Sequence, residues 1–123
     1  MKRKNSKSLL IATENEETRT ALSALGGVRT VSVSSGSEAI ELLATRSFDV
    51  VVLDQALPDV TGEDILAYHR TRYPGSRNVI LLVGAAPRRT VDGRGAYAVM
   101  PAPLDVEQFA RVVRGCSREI AAA

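Results

Sequence analysis

The chain has 123 residues, which suits one compact domain, and its 45% hydrophobic and 24% charged residues are ordinary for a globular protein. A net charge of +2 and an aromatic content of 4% argue against a nucleic-acid-binding surface, so nucleic acid would be reached only through another domain. No apolar run approaches the ~20 residues of a membrane span, and the run after the basic start is too short for a signal peptide, so we expect a cytoplasmic domain without membrane contact.

The first half of the chain alternates short apolar runs with amphipathic stretches, which predicts β-α units around a parallel sheet. Leu9–Ala12 is the first predicted strand, and the helix after it is predicted to end at Gly26-Gly27. Thr30–Ser34 is short and alternating, as an edge strand would be. The second helix is predicted to begin at a serine cap, either Ser35 or Ser37.

The second half of the chain continues the same pattern. Phe48–Leu53 is rich in β-branched residues and continuous, as in a central strand that is buried on both faces. The later predicted elements are a helix that ends at Tyr73, strands Val79–Val83 and Tyr97–Met100, and a helix that begins at Asp105. Residues 84–96 are rich in glycine with few apolar anchors, so a loop or one poor turn is predicted where a fourth helix would belong.

The whole chain is predicted to form one domain over residues 9–120, preceded by a basic, disordered tail over residues 1–8. Asp54 is the first candidate site residue, because it follows a buried apolar run. In open α/β sheets, ligands bind at the carboxyl ends of the strands, and a carboxylate there can act as a nucleophile or a metal ligand. An aspartate that only caps a neighbouring loop is the alternative, and the strand alone does not decide between them.

Three segments resemble the receiver domains of two-component response regulators: residues 9–17, 49–62 and 103–109. The most specific is DVVVLDQALPDVTG over residues 49–62, which has an aspartate at a strand end, a Leu-Pro turn and a following glycine. The resemblance implies a flavodoxin-like α/β fold with a five-stranded parallel sheet of order 2-1-3-4-5 and helices on both faces, the fourth helix being eroded. It also implies that Asp54 stands where a phosphoryl group is accepted from a histidine kinase, in a signalling domain that is not an enzyme.

The same resemblance implies a Mg²⁺ site beside Asp54. Receivers usually have two acidic residues after the first strand, and this chain has Thr13 and Glu14 there. The expected metal ligands are therefore Glu14, Asp54 and the backbone carbonyl of Ala56, with Thr13 at most indirect. Mg²⁺ prefers carboxylate and other oxygen ligands. Because Thr13 occupies one of the two usual acidic positions, we expect the binding of Mg²⁺ to be weak.

Other positions also depart from the receiver pattern. Where the family has Ser or Thr at the end of the fourth strand, Lys before a proline at the end of the fifth, and an aromatic residue shortly before that Lys, this chain has Val83, Ala102 and Val99. Tyr97 could take the aromatic position only through a shifted register. Hydrogen bonds to charged groups contribute about 1.5–3 kcal/mol each, so two missing contacts forfeit roughly 3–6 kcal/mol. A two-state switch needs about 5.5 kcal/mol of differential binding.

These departures predict an atypical receiver that acts mainly as a regulatory protein-interaction module. The alternative is a functioning phosphoacceptor that is phosphorylated on Asp54 and has a weakened Mg²⁺ site. A phosphatase of the haloacid-dehalogenase type is disfavoured, because Ala56 stands where such enzymes need a second aspartate. A flavodoxin-type cofactor site is disfavoured as well, because Thr13–Glu17 has no glycine to approach a phosphate.

The predicted partners are a histidine kinase or another signalling protein, and a second copy of the chain. In receivers the fourth and last helices form the face that meets partners, and the arginines of these segments are Arg88, Arg89, Arg94, Arg111, Arg114 and Arg118. A solvated face is the simpler interpretation, and a docking face for an acidic partner is the alternative. His69 is interpreted as a solvated helix residue, and Cys116 as a packing residue.

Overall fold

The computed structural model describes residues 7–24, 28–84, 95–101 and 105–122. The elements within these ranges are β1 (Lys7–Ala12), α1 (Glu16–Ser23), β2 (Val28–Val33), α2 (Gly36–Thr45), β3 (Val50–Asp54), α3 (Gly62–Arg72), β4 (Val79–Val83), β5 (Ala98–Pro101) and α4 (Val106–Ala122). None of the described helices is long and apolar enough to cross a membrane.

The strands form one sheet in the order β2-β1-β3-β4-β5, and every neighbouring pair is parallel. This confirms the predicted strand order and places β2 at an edge. The central strand β3 pairs with β1 on one side and β4 on the other. Because all strands run in the same direction, the residues that follow β1, β3 and β4 come together at one edge of the sheet.

The core has two layers because successive side chains of a strand point to opposite faces. On one face, Leu10, Val51 and Leu81 pack in a cluster with buried residues of α2 and α3. On the other face, Val52 and Ile80 pack with buried residues of α1 and α4, including the predicted packing residue Cys116. The helices therefore lie on both faces of the sheet, as predicted.

Most predicted boundaries agree closely with the structure. Strand β4 has the predicted bounds, while β1 already begins at Lys7, inside the segment predicted to be a tail. Ser35 is the N-cap of α2, and its hydroxyl accepts from the backbone N–H of Glu38. The glycine pair predicted to end the first helix, and residues 85–94 of the segment predicted to lack a fourth helix, lie outside the described residues.

His69 is buried, with only 6% of its surface exposed, so the prediction of a solvated residue was wrong. It lies on the inner face of α3 together with Ile65 and Leu66, at the i+3 and i+4 spacing that defines a helix face. Its Nε2 lies 3.3 Å from Oδ1 of Asn78, which in turn donates from Nδ2 to the carbonyl of Phe48 at 3.1 Å.

These contacts indicate which ring nitrogen of neutral His69 carries the hydrogen. Since Nδ2 of Asn78 donates to a carbonyl, its Oδ1 is the acceptor, and Nε2 of His69 must carry the hydrogen. Nδ1 is buried without a hydrogen-bond partner among the described residues. Burial lowers the pKa of His69, and the nearby Arg72 lowers it further, while the hydrogen bond to Asn78 acts in the opposite direction.

The lowered pKa of His69 predicts that the fold loses stability in mild acid. As the pH falls below the ordinary histidine pKa of about 6.5, the unfolded chain binds a proton before the folded chain does, so the free energy of unfolding decreases. The slope is at most about 1.4 kcal/mol per pH unit for one group. Urea unfolding followed by circular dichroism between pH 7.5 and 5.5 measures this.

His69→Gln is the matched control, because a glutamine keeps an N–H donor for Asn78 but does not titrate. The chain contains one histidine, so the difference between the two proteins isolates this group. We expect the variant to have a flatter pH profile over the same range. Equal profiles for the wild type and the variant would contradict the assignment.

Candidate functional site

The candidate site lies at the carboxyl edge of the sheet, where β1 and β3 end side by side. Ala12 is paired with Leu53 across the two strands. The next residues, Thr13 and Asp54, therefore come directly opposite each other. Asp54 is the last residue of β3 and is half-buried, since the four residues before it belong to the core.

Thr13 and Asp54 are joined by a hydrogen bond. The Thr13 hydroxyl donates to Oδ2 of Asp54 at 2.7 Å, the usual length of a hydroxyl hydrogen bond. The same hydroxyl oxygen accepts from the backbone N–H of Asn15 at 3.1 Å. Asn15 in turn is the N-cap of α1, where its Oδ1 accepts from the N–H of Thr18 at 2.9 Å.

The backbone of Thr13 is held as firmly as its side chain. Its N–H donates to the carbonyl of Val33 at 3.0 Å, and its carbonyl accepts from Nη2 of Arg19 at 3.2 Å. Thr13 has no exposed surface. The hydroxyl that contacts Asp54 is therefore fixed in place by β2, by the start of α1 and by the core beneath it.

The turn after β3 supplies the second contact to the carboxylate. The backbone N–H of Ala56 donates to Oδ1 of Asp54 at 3.0 Å. The turn is attached to the sheet through the N–H of Gln55, which donates to the carbonyl of Leu82 at 2.8 Å. It is attached to α3 through the Gln55 side chain, whose Oε1 accepts from the N–H of Glu63 at 2.8 Å.

Asp59, farther along the same loop, connects it to α2. Its two carboxylate oxygens accept from the first backbone N–H groups of α2, those of Gly36 at 2.7 Å and Ser37 at 3.0 Å. These bonds lower the pKa of Asp59 to about 2, although the side chain is exposed. The Asp59 carboxylate is therefore ionised throughout the physiological pH range, and its hydrogen bonds connect the loop to α2.

Gly62 lets α3 approach the end of β3 closely. A Cβ at this position would lie 2.8 Å from the carbonyl oxygen of Asp54 and 2.9 Å from its carbonyl carbon. These are backbone atoms of the central strand, which cannot give way as a flexible side chain can. The helix N-cap, Thr61, completes the junction by accepting from the N–H of Asp64 at 3.1 Å.

The predicted site residues are partly brought together. Asp54 and Ala56 are in contact through the Ala56 amide, and Glu14 is exposed just after β1. Within residues 7–24, 28–84, 95–101 and 105–122, no group of three or more His, Cys, Asp or Glu side chains is placed to hold a metal ion. A Mg²⁺ ion here would therefore depend on one or two carboxylates and on other oxygens.

The residues that depart from the receiver pattern differ in how far they are exposed. Val83 ends β4 with 9% of its surface exposed and packs in the same cluster as Leu53. Val99 on β5 is 45% exposed, so this position presents an aliphatic side chain to the outside. Ala102 lies outside the described residues, as do the first three arginines of the predicted docking face, while Arg111 and Arg114 are exposed on α4.

The sequence analysis did not predict the direct bond from Thr13 to Asp54 and considered Thr13 only as an indirect participant in the metal site. The pairing of β1 with β3 contains the necessary signal. Once parallel strands of similar length are aligned by their apolar runs, the first residues after each run must face one another. A hydroxyl beside a carboxylate then predicts a hydrogen bond.

Comparison with known proteins identifies relatives of the whole domain. The family described as response regulator receiver domain matches residues 10–108. The response regulator protein FleR of Pseudomonas aeruginosa is 32% identical over 100 residues, covering 76% of this chain and 21% of FleR. The chain thus spans about a fifth of the length of this curated relative.

Solved structures of similar shape carry the same description. A response regulator receiver domain protein from Clostridium thermocellum matches with a TM-score of 0.79 at 20% identity, over 94% of this chain and 98% of that one. The signal receiver domain of an HD domain-containing protein from Pseudomonas fluorescens Pf-5 matches with a TM-score of 0.81 at 21% identity, over 99% and 94% of the two chains. At 20% and 21% sequence identity, this structural similarity supports the fold alone.

The close approach at Gly62 predicts that Gly62→Ala destabilises the domain. The added methyl group overlaps the Asp54 backbone, and relief of such overlap typically costs about 1–3 kcal/mol. Gly75→Ala is the matched control, because a Cβ there has no atom within 4 Å. Urea unfolding of both variants measures the difference, and equal stabilities would contradict the contact at Gly62.

Proposed function

Because this chain belongs to the response regulator receiver domains, we propose that it is an atypical receiver that acts mainly as a protein-interaction module, with only weak dependence on phosphorylation of Asp54. Receiver domains are generally signalling modules that contact histidine kinases or other signalling proteins. The proposal concerns how this member transmits a signal from the acceptor position to its partner-binding face.

The observation that carries the proposal is the aliphatic, buried end of β4. Val83 follows Leu82, which lies beside Asp54 in the paired register of β3 and β4. Receivers usually have a hydroxyl there to bind the phosphoryl group. Val83 offers methyl groups that already pack in the core with Leu53, so it has neither a donor for the phosphoryl oxygens nor a free side chain to move toward them.

The second missing contact follows from the sequence. Ala102 stands before Pro103 where the family has a lysine, and an alanine side chain carries no charge at any position. The two lost contacts together amount to roughly 3–6 kcal/mol, given about 1.5–3 kcal/mol for each hydrogen bond to a charged group. Since a full switch needs about 5.5 kcal/mol, phosphorylation of Asp54 would shift the conformational equilibrium only slightly.

A Mg²⁺ ion, when bound, would neutralise charge on a transferring phosphoryl group. The residues that would hold it are Glu14, Asp54 and the Ala56 carbonyl. Each oxygen of the Asp54 carboxylate already accepts one hydrogen bond, from Thr13 or from Ala56, and an ionised carboxylate has about four acceptor positions. The residues therefore fit a weak site with one or two protein carboxylates.

A functioning phosphoacceptor is the second candidate, and the placement of Asp54 favours it. The side chain is half-buried at the end of β3, and the turn that follows is attached to β4, α2 and α3. Such a preorganised carboxylate can attack a phosphoryl donor that supplies most of the binding energy itself. In this case Asp54 would be phosphorylated, but its signal would spread by other contacts than those of the usual receiver.

The partners proposed for both cases are a histidine kinase or another signalling protein, and a second copy of the chain. Arg111 and Arg114 are exposed on α4, and Val99 is exposed on β5. Arginine is enriched at protein interfaces, so the exposed arginines of α4 support a binding surface on this helix. An acidic partner surface would complement them.

Beryllofluoride, which mimics a phosphoryl group on aspartate, tests the proposal by NMR in the presence of Mg²⁺. In the wild-type domain we expect amide shifts near Asp54 that do not extend to β5 and α4. In the double variant Val83→Thr/Ala102→Lys, which restores both missing contacts, we expect the shifts to reach these elements. Asp54→Asn is the control in both backgrounds and should remove every specific shift.

The outcome decides between the two candidates. Shifts across α4 in the wild-type domain that disappear in Asp54→Asn would reject the proposal and support the functioning phosphoacceptor. Incubation with the cognate kinase adds a second measurement, since an adduct of about 80 Da on Asp54 shows phosphorylation whether or not the signal spreads.

A further inference from the structure

The hydrogen atom of the Thr13 hydroxyl has only one possible direction. Its oxygen accepts from the N–H of Asn15 at 3.1 Å, and a backbone amide can only donate. The hydroxyl hydrogen is therefore available for Oδ2 of Asp54, 2.7 Å away. Since Thr13 has no exposed surface, and its backbone is held on both sides, this donor is preorganised for the carboxylate.

The donor changes the charge balance at the sheet edge. Two carboxylates on adjacent strand ends repel each other, and a bound cation relieves that repulsion. In this chain the residue beside Asp54 is neutral, and it offsets the charge of Asp54 with a hydrogen bond. Glu14 and Asp54 are then the two carboxylates offered to a cation at the expected metal-binding positions, and affinity for such cations depends on the number of charged ligands.

We propose that Thr13 determines the metal dependence of this domain: its hydroxyl substitutes for Mg²⁺ as the partner of Asp54, so that the folded receiver binds Mg²⁺ weakly and does not depend on it for stability. The inference rests on the proposed function, because it explains how the acceptor position is maintained without a strong metal site. The hydroxyl and the metal ion then compete to offset the same negative charge.

Four variants test this competition by calorimetric measurement of Mg²⁺ binding and of Tm with and without millimolar Mg²⁺. For the wild type and for Thr13→Ser, which keeps the hydroxyl, we expect a Tm that Mg²⁺ barely changes. For Thr13→Val we expect a lower Tm that Mg²⁺ partly restores. For Thr13→Asp we expect Mg²⁺ affinity at least about tenfold above the wild type, and Thr13→Asp/Glu14→Gln should lose this gain.

Ser8→Ala is the matched control at the amino-terminal end of β1, opposite the end that carries Asp54 and Thr13. The Ser8 hydroxyl also donates to a carboxylate, at 3.2 Å from Oδ2 of Asp49, but far along the strands from Asp54. Its loss should lower the Tm without any response to Mg²⁺. The comparison separates loss of a buried hydrogen bond from loss of a metal substitute.

Two results would overturn the inference. One is wild-type Mg²⁺ affinity equal to that of Thr13→Asp. The other is a Tm loss in Thr13→Val that Mg²⁺ leaves unchanged, as in Ser8→Ala, because the hydroxyl would then act on packing alone; this result decides the question even if Thr13→Asp fails to fold. The first of these results, in a wild-type domain whose β5 and α4 do not respond to beryllofluoride, would overturn this inference but keep the proposed function.

Failure of the proposed function alone can be recognised as well. A wild-type domain that transmits a beryllofluoride signal to α4 at saturating Mg²⁺, while its Tm is insensitive to Mg²⁺ alone, would overturn the proposed function and keep the role of Thr13.

Discussion

The central strand β3 is the constraint on which the rest of the domain depends. Its residues Val50–Leu53 are buried on both faces, and both edges are paired, with β1 and with β4. Helices must therefore cover each face of the sheet, which α2 and α3 do on one side and α1 and α4 on the other. Asp54 follows this apolar run without an intervening residue, so its carboxylate lies at the boundary of the apolar core. Such a group is stable only if donors or a cation lie close to it.

Both donors come from the chain segments that the sheet itself brings to this edge. Thr13 is the first residue after β1, and Ala56 lies in the turn that β3 enters. The Ala56 amide can donate to Asp54 because the loop is held in place. Gln55 attaches the loop to α3, and the hydrogen bonds of Asp59 attach it to the start of α2. Packing of the helices, geometry of the loop and placement of the carboxylate are thus parts of one arrangement. Gly62 belongs to it as well, because only a residue without Cβ lets α3 begin against the backbone of Asp54.

The sequence predicts this arrangement wherever a local pattern decides the structure. Continuous aliphatic runs located β3 and β4, because a strand buried on both faces has no polar positions, and the resemblance to receivers supplied their order. The prediction for His69 was wrong because its position on a helix, away from the strand ends, does not by itself decide whether it faces solvent. Its spacing from Ile65 and Leu66 marks the inner face, and its partner Asn78 comes from the approach to β4. The contact between Asp59 and Gly36 could not be predicted, since it depends on how a loop meets a helix more than twenty residues away in the chain.

The fold and the chemistry of this domain depend on different residues. The core needs the apolar strands and the helix faces, none of which includes the side chain of Thr13 or a lysine after β5. Three strand-end positions differ from the usual receiver pattern: Thr13 stands in place of a charged neighbour and donates a hydrogen bond to Asp54, Val83 stands in place of a hydroxyl side chain and packs in the core, and Ala102 stands in place of a lysine. Under the proposed function, all three weaken the binding of a phosphoryl group and of Mg²⁺ at this end of the sheet, while the Thr13 hydroxyl also offsets the charge of the carboxylate. Under the proposed function, a receiver with these residues keeps the receiver fold and holds Asp54 in one state, as we propose for a module that signals mainly without phosphorylation.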